Sequence, residues 1–243
     1  MSLTKTQFQK YHNEVLNALK VIGKPDYGKA IQADRGSKLK HLGISFPNLR
    51  KRVKQGFSFY DLPENQILEI WDWLWKNSAY GDVLFATLEF YIPIVKKQVP
   101  PNLWNTSRHW IERVDNWCHC DNLCFIYSRI LESHFDEVYP MLKKWNQAES
   151  QWKKRASLVS LIHYSGKNAV FLNPKKVLPL VDNCLNDPRH YVQTAVGWVL
   201  REMGHVYKSE IGKYIETNIV RLSTLAFSRA IERMSSAEKN RLK

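Results

Sequence analysis

The sequence lacks several features that would place it in a common class of protein. No apolar run approaches the roughly 20 residues of a membrane span, and no low-complexity tract indicates disorder. The first ten residues contain no apolar segment of the signal-peptide kind. Neither a Gly-x-Gly-x-x-Gly motif nor a P-loop occurs. We therefore expect a folded cytoplasmic protein without a membrane anchor or a nucleotide cofactor.

Cysteine is scarce and unevenly placed. Cys118, Cys120 and Cys124 crowd one stretch around His119, whereas Cys184 is remote. Structural zinc sites pair closely spaced cysteines with a second, distant ligand pair, which this spacing does not supply. A Cys–His nucleophilic pair is also disfavoured, because neighbouring residues on a helix point about 100° apart. The pattern predicts buried thiols, with no metal and no disulfide framework.

Acidic residues are too few to balance the basic ones. The 243 residues carry a formal net charge of +13, with a sequence pI near 9.5 and nine tryptophans. Such a balance favours a polyanionic partner. Nucleic acid is the leading candidate and a membrane surface the second, while a merely solubilising surface is the plain alternative.

Helical patterns recur along the chain, and no convincing alternating strand is present. Strong helices are predicted to open near five polar residues that lie 34 to 38 residues apart: Asn77, Asp115, Glu149, Asp187 and Ser223. Asp187-Pro188 reads as an N-cap followed by a first-turn proline. Shorter helical segments accompany them at 101–112, 136–146, 174–185 and 208–218.

Two helices per period of about 37 residues are typical of a HEAT-like α-solenoid. We predict an all-α fold of antiparallel helix pairs in a single domain, residues 1–243. N-terminal helices would occupy 1–60 and helical repeats 61–243. The concave face of a solenoid is an extended binding surface, and here we expect a cationic groove that binds DNA.

Trp117 and Asp121 are four residues apart, so a helix would place them on one face. The plain alternative is a core tryptophan and a solvent-facing or capping aspartate. Indoles can stack on bases or sugars, and lysines and arginines neutralise phosphates. A single carboxylate in a cationic groove repels phosphates, but it would be tolerated if it meets a developing positive charge.

From about Leu42 to the C-terminus the sequence resembles the AlkD-type alkylpurine DNA glycosylases, a family of HEAT-like-repeat DNA alkylation repair enzymes. Four motifs in order carry the resemblance: Leu42-Gly43-Ile44 followed by Pro47 and Arg50; Asp115-Asn116-Trp117-x-x-x-Asp121; Trp152-x-x-Arg155-Ala156; and Ala195-Val196-Gly197-Trp198-Val199-Leu200-Arg201-Glu202.

The resemblance implies a role for each matching residue. Asp121 matches the catalytic carboxylate. Trp117 and Trp198 match aromatic residues that contact the backbone of the damaged nucleotide. Arg155 matches an arginine on the phosphate beside the lesion.

Further DNA contacts are expected from the remaining basic and aromatic residues of these motifs: Arg50, Arg201, Trp152, Lys153 and Lys154. One position departs from the family, which often has a tyrosine where this chain has Asp34.

The resemblance implies a monofunctional glycosylase that acts as a monomer on double-stranded DNA, without a cofactor, in the cytoplasm at the nucleoid. It would release purines alkylated at N3 or N7. The first alternative is a relative without glycosylase activity that binds branched or distorted DNA. The second is a helical-repeat scaffold for acidic proteins.

Overall fold

The computed structural model describes residues 3–162 and 172–242, and these are all-α as predicted, with one isolated parallel bridge between Lys40 and Tyr80. The chain forms two compact units, Met1–Ile126 (unit 1) and Tyr127–Lys243 (unit 2). Among the described residues, no helix combines the length and the apolar character that a membrane crossing requires.

Unit 1 begins with helices α1 (Lys5–Ile22), α2 (Pro25–Arg35), α3 (Phe46–Lys54), α4 (Glu64–Asn77), α5 (Gly81–Val95) and α6 (Leu103–Ser107). A 3-10 helix, Trp110–Arg113, precedes α7 (Trp117–Ser133), which continues into unit 2. Unit 2 then holds α8 (Phe135–Asn146), α9 (Gln151–Val159), α10 (Pro174–Asp182), α11 (His190–Val206), α12 (Lys208–Thr217), α13 (Thr224–Ala230) and α14 (Ser236–Leu242).

The predicted alternation of opening and shorter helices is confirmed. Helices α7, α9, α11 and α13 begin one to three residues after four of the predicted positions, and the shorter helices lie between them. The fifth position is wrong, because Asn77 is the last residue of α4 and α5 begins at Gly81. Ser150 and Ser223 cap α9 and α13, because each hydroxyl accepts a hydrogen bond from the third backbone N–H of its helix.

The predicted cap at Asp187 is wrong. Helix α11 begins at His190 with Arg189 at the N-cap, and the Asp187 carboxylate instead accepts hydrogen bonds from the backbone and guanidinium of Arg189. Arg189 is a strong charged donor two residues away, and its hydrogen bonds occupy the carboxylate that would otherwise cap the helix.

Most tryptophans belong to the core. Trp71, Trp75 and Trp110 are fully buried in unit 1, and Trp104 and Trp145 are buried as well. The Trp75 indole donates to the Trp110 carbonyl at 2.9 Å, and the two rings stack with centroids 5.2 Å apart. The high tryptophan count is therefore chiefly a packing feature, and it argues less for a binding face than the sequence suggested.

A glycine turn holds the start of α2 against the chain that precedes α3. Gly43 has φ +76°, and a Cβ there would lie 2.2 Å from the Lys24 carbonyl oxygen. The Lys24 amide in turn donates to the Leu42 carbonyl at 2.8 Å. Only glycine permits both the left-handed backbone and this approach, which explains the Leu42-Gly43-Ile44 motif structurally.

His41 immediately precedes this glycine turn and lies in the protein interior. Its imidazole is buried, stacks on His119 with ring centroids 6.0 Å apart, and lies 3.8 Å from the Asp82 carboxylate. Burial lowers the pKa of His41 to about 4, and electrostatic interactions with His119 and Arg35 act in the same direction. The folded protein therefore holds a neutral histidine that the unfolded chain would protonate below about pH 6.5.

This buried imidazole should make stability depend on pH. As pH falls from about 6.5 to about 4, unfolding takes up a proton at His41, so the free energy of unfolding should fall, by about 3 kcal/mol at most. Urea titrations at pH 7.5, 6.5 and 5 should show a smaller loss for His41→Gln. Parallel pH profiles for the two proteins would contradict this assignment.

Candidate functional site

Asn116 caps the helix that carries the proposed catalytic residue. Its side-chain oxygen accepts from the His119 backbone N–H at 3.0 Å, at the third position of α7. Its amide nitrogen donates to Asp115 Oδ1 at 2.8 Å and to His119 Nδ1 at 2.7 Å. His119 Nε2 then donates to the Gly81 carbonyl at 3.0 Å, which ties α7 to the start of α5.

Asp115 connects the start of α7 to the loop after α2. Its Oδ2 accepts from the Ser37 hydroxyl at 2.8 Å and from the Lys38 and Leu39 amides at 2.7 and 3.3 Å. Burial acts to raise the pKa of Asp115, but His119 and the hydrogen bonds from Ser37 and its neighbours outweigh it and hold the pKa well below its usual value. This carboxylate is a structural anion.

Trp117 and Asp121 occupy the outward side of the first turns of α7. Trp117 is 39% exposed and Asp121 is half-buried, whereas Cys118, His119 and Cys120 between them are buried. The shared, solvent-reaching face predicted from their spacing is thus present. The alternative of a core tryptophan at position 117 is wrong.

The cysteines behave as buried thiols, as predicted. All four are free and buried. Burial raises the pKa of the Cys118 thiol to about 11, while Arg35 lowers it and Asp121 raises it further. Within the residues that the structure describes, no cluster of His, Cys, Asp and Glu could hold a metal ion.

Arg50 carries a partner that its sequence neighbours do not reveal. The side chain is 64% exposed, yet Nε and Nη2 donate to the two carboxylate oxygens of Glu89 at 2.8 and 2.9 Å. These bonds and the negative charge of Glu89 raise the pKa of Arg50. The guanidinium is therefore anchored through one edge and reaches solvent with the rest.

In unit 2, two predicted residues of α9 pack against the first turns of α11. Arg155 is buried, and its Nη1 donates to the Tyr191 carbonyl at 2.7 Å and the Thr194 hydroxyl at 2.8 Å. The Trp152 ring packs against Tyr191 with centroids 5.0 Å apart. Trp198 follows Thr194 by one helical turn on α11.

The two lysines of this segment differ in their surroundings. Lys154 pairs with the buried Asp187 carboxylate at 3.2 Å and is largely shielded. Lys153 is half-buried on the same turn of α9. The hydrogen bonds from Arg189, together with Lys154, hold the pKa of Asp187 well below its usual value. Lys154 therefore stabilises the junction before α11.

Arg201 is also held by carboxylates. Its side chain is only 11% exposed, and it donates to Glu202 Oε1 at 2.8 and 2.9 Å and to Glu232 at 2.5 Å. The same Glu202 oxygen accepts from the Trp198 indole N–H at 3.2 Å. Glu202 is fully buried, so Arg201 fixes the carboxylate that orients Trp198.

Sequence reasoning included Asn116 and Glu202 in the motifs without a role, and it placed Asp115 only at the opening of a helix. A cap is readable from the position of Asn116 before an apolar helix. The partners of Asp115 lie more than 70 residues away in sequence, so no local signal indicated them.

Loss of the Asn116 side chain should destabilise unit 1. Asn116→Ala removes the cap of α7 and leaves buried groups without partners, so the free energy of unfolding should fall by about 2 kcal/mol. Urea unfolding followed by circular dichroism measures the change. Asn77→Ala, at an exposed asparagine that ends α4, is the control and should change stability by less than about 0.5 kcal/mol. Equal effects would remove Asn116 from this role.

Comparison with known structures bears out the helical-repeat fold. A predicted DNA alkylation repair enzyme from Enterococcus faecalis matches with a TM-score of 0.73 at 14% identity, over 88% of this chain and 97% of that one. AlkD2 from Streptococcus mutans matches with a TM-score of 0.54 at 14% identity, over 85% of this chain and 95% of that one.

The alkylpurine DNA glycosylase AlkC from Pseudomonas fluorescens, bound to DNA containing an abasic site analogue, matches with a TM-score of 0.54 at 12% identity, over 98% of this chain and 65% of that one. No curated protein sequence matches significantly. The family model described as DNA alkylation repair enzyme matches residues 15–234. The chain therefore belongs to the DNA alkylation repair enzyme family.

Proposed function

We propose that the protein is a monofunctional DNA glycosylase that excises positively charged N3- or N7-alkylated purines from duplex DNA. The observation that supports this most is the solvent-reaching pair of Trp117 and Asp121 on α7, in a chain of the alkylation repair family. The net charge of +13 fits a polyanionic substrate. The predicted concave cationic groove stays a prediction.

The chemistry gives a carboxylate beside an indole a specific task. Alkylation at N3 or N7 makes the purine cationic, so it leaves readily without a strong general acid. The C1′–N bond breaks with its electron pair moving to the purine, which departs neutral, and an oxocarbenium ion forms on the deoxyribose. In the proposed mechanism the Asp121 carboxylate stabilises this cation electrostatically.

Water completes the reaction. It attacks C1′ and loses a proton, which Asp121 can accept as a general base. The products are a free alkylpurine and an abasic site. The Trp117 indole presents its negative π-face to the same cation and to the polarised C–H groups of the sugar. No lysine nucleophile is proposed, so no strand cleavage should follow.

Unit 2 supplies the other proposed DNA contacts. Trp198 would contact the backbone of the damaged nucleotide, with its ring oriented by Glu202 and, through that carboxylate, by Arg201. Arg155, at the position that matches the family's phosphate-contacting arginine, would contact the phosphate beside the lesion. Trp152 and Lys153 would extend this surface.

Two further basic residues are proposed to contribute less to DNA binding. Arg50 would reach a phosphate through the edge that Glu89 leaves uncovered. Lys154 would contribute its charge at longer range, since Asp187 already binds it. We propose that the protein works as a monomer in the cytoplasm, at the nucleoid, without a cofactor.

The direct test is release of free alkylpurines from methylated duplex DNA. Wild type should release them, and Asp121→Asn should lose the activity while binding DNA at least as well, because the substitution removes the charge and keeps the shape. Asp136→Asn, at an exposed aspartate in the first turn of α8, is the matched control and should remain active.

Two results would overturn parts of this proposal. Release by both wild type and Asp121→Asn would keep the activity and assign it to another group. Release by neither, with DNA binding retained, would indicate the alternative function of a non-catalytic relative that binds branched or distorted DNA.

The role of Arg155 predicts a change in salt dependence. Arg155→Ala should weaken binding to abasic-analogue DNA and reduce the slope of log K against log salt by about 0.9, the value for one phosphate contact. Thr194→Val removes a structural partner of Arg155 but no charge, so its slope should equal that of wild type. An unchanged slope in Arg155→Ala would place Arg155 off the DNA.

A further inference from the structure

Arg35, the last residue of α2, has an environment that the proposed mechanism has not used. Its guanidinium is half-buried and lies 5.3 Å above the ring of Phe85, within cation–π distance. It forms no ion pair and no side-chain hydrogen bond with any residue in the described ranges. The guanidinium thus lies over an aromatic ring, while its N–H donors have no acceptor on the described part of the chain.

This lack of an acceptor distinguishes Arg35 from the other arginines of unit 1. Each of those donates to a specific group on the protein: Arg50 to Glu89, Arg52 to the Gly56 carbonyl, Arg108 to His109, and Arg113 to the Ser78 carbonyl. No nitrogen of Arg35 is among the buried side-chain atoms that lack a partner, so its unpaired donors reach solvent and can meet an anion there. Arg35 is therefore a candidate for an anionic ligand.

The fold places Arg35 beside the first turn of α7. The chain immediately after it, at Ser37, is hydrogen-bonded to Asp115, two residues before that helix begins. Its packing partner Phe85 also contacts His119 of α7, with ring centroids 4.0 Å apart. Arg35 lowers the pKa of the Cys118 thiol and Asp121 raises it, so both charges act on the same buried group.

We propose that Arg35 forms a phosphate subsite that binds one backbone phosphate of DNA close to the alkylated nucleotide. The inference rests on the proposed function, because it takes DNA as the substrate and Asp121 as the group at the sugar. The cation–π interaction with Phe85 restrains the guanidinium before DNA arrives, and a phosphate can accept two of its donors at once.

The subsite would also solve an electrostatic problem at Asp121. A carboxylate near the sugar repels the adjacent phosphate, and a cation placed at that phosphate offsets the repulsion without neutralising the carboxylate. The negative charge of Asp121 thus remains available to the developing oxocarbenium ion, while Arg35 holds the strand in register.

The experiment uses the whole protein and duplexes that contain a tetrahydrofuran abasic analogue. Single neutral methylphosphonate linkages replace the phosphates one at a time on either side of the analogue, and Kd is measured for wild type, Arg35→Ala and Arg35→Lys. Arg52→Ala is the control, because Arg52 also lies over an aromatic ring, 4.4 Å above Phe57, but donates to a carbonyl. Unfolding curves verify that each variant is folded.

One methylphosphonate position should weaken wild-type binding by about tenfold, as expected for a charge-assisted contact. Arg35→Ala should bind the unmodified duplex about tenfold more weakly and show no further loss at that position. Arg35→Lys should recover part of the affinity, because it restores the charge without the planar pair of donors. Arg52→Ala should keep the wild-type pattern of losses.

The inference and the proposed function fail in different ways. If Arg35→Ala loses the same factor as wild type at every methylphosphonate position, Arg35 contacts no phosphate and the inference is overturned, whatever the excision assay shows. If wild type releases no alkylpurine but keeps the Arg35-dependent position, the glycosylase proposal fails and the phosphate subsite stands. If wild type binds no DNA, both are overturned.

Discussion

The carboxylate of Asp115 is the contact on which the candidate site of unit 1 depends. It accepts hydrogen bonds from the loop after α2 and from the cap of α7 at the same time. Because its pKa is held well below the usual value, it is ionised at neutral pH. The start of α7, and with it Asp121, is therefore fixed by an anion that takes no part in the proposed chemistry.

Two aspartates six residues apart thus have opposite surroundings. Asp115 is enclosed by donors, whereas Asp121 lies on the outward face of α7 next to an exposed indole. A carboxylate that reaches solvent can come close to a cation that develops on a bound substrate. The sequence motif contains both, and only the contacts separate the structural group from the proposed catalytic one.

Local patterns predicted the helices and the shared face of Trp117 and Asp121, because periodicity and i, i+4 spacing act within one helix. These local patterns could not predict contacts between residues that are far apart in the sequence. The partners Glu89 of Arg50 and Glu232 of Arg201 lie 39 and 31 residues away, and five of the nine tryptophans are buried. The misplaced cap at Asp187 shows that a nearby arginine can override a sound local signal.

The central claim is that Asp121 stabilises positive charge on the sugar. It is tested most directly by comparing Kd for duplexes that carry a cationic pyrrolidine abasic analogue with Kd for duplexes that carry the neutral tetrahydrofuran analogue. The account predicts that wild type prefers the cationic analogue by at least about tenfold and that Asp121→Asn loses this preference. An equal preference in both proteins would contradict the claim and assign the stabilisation to another group.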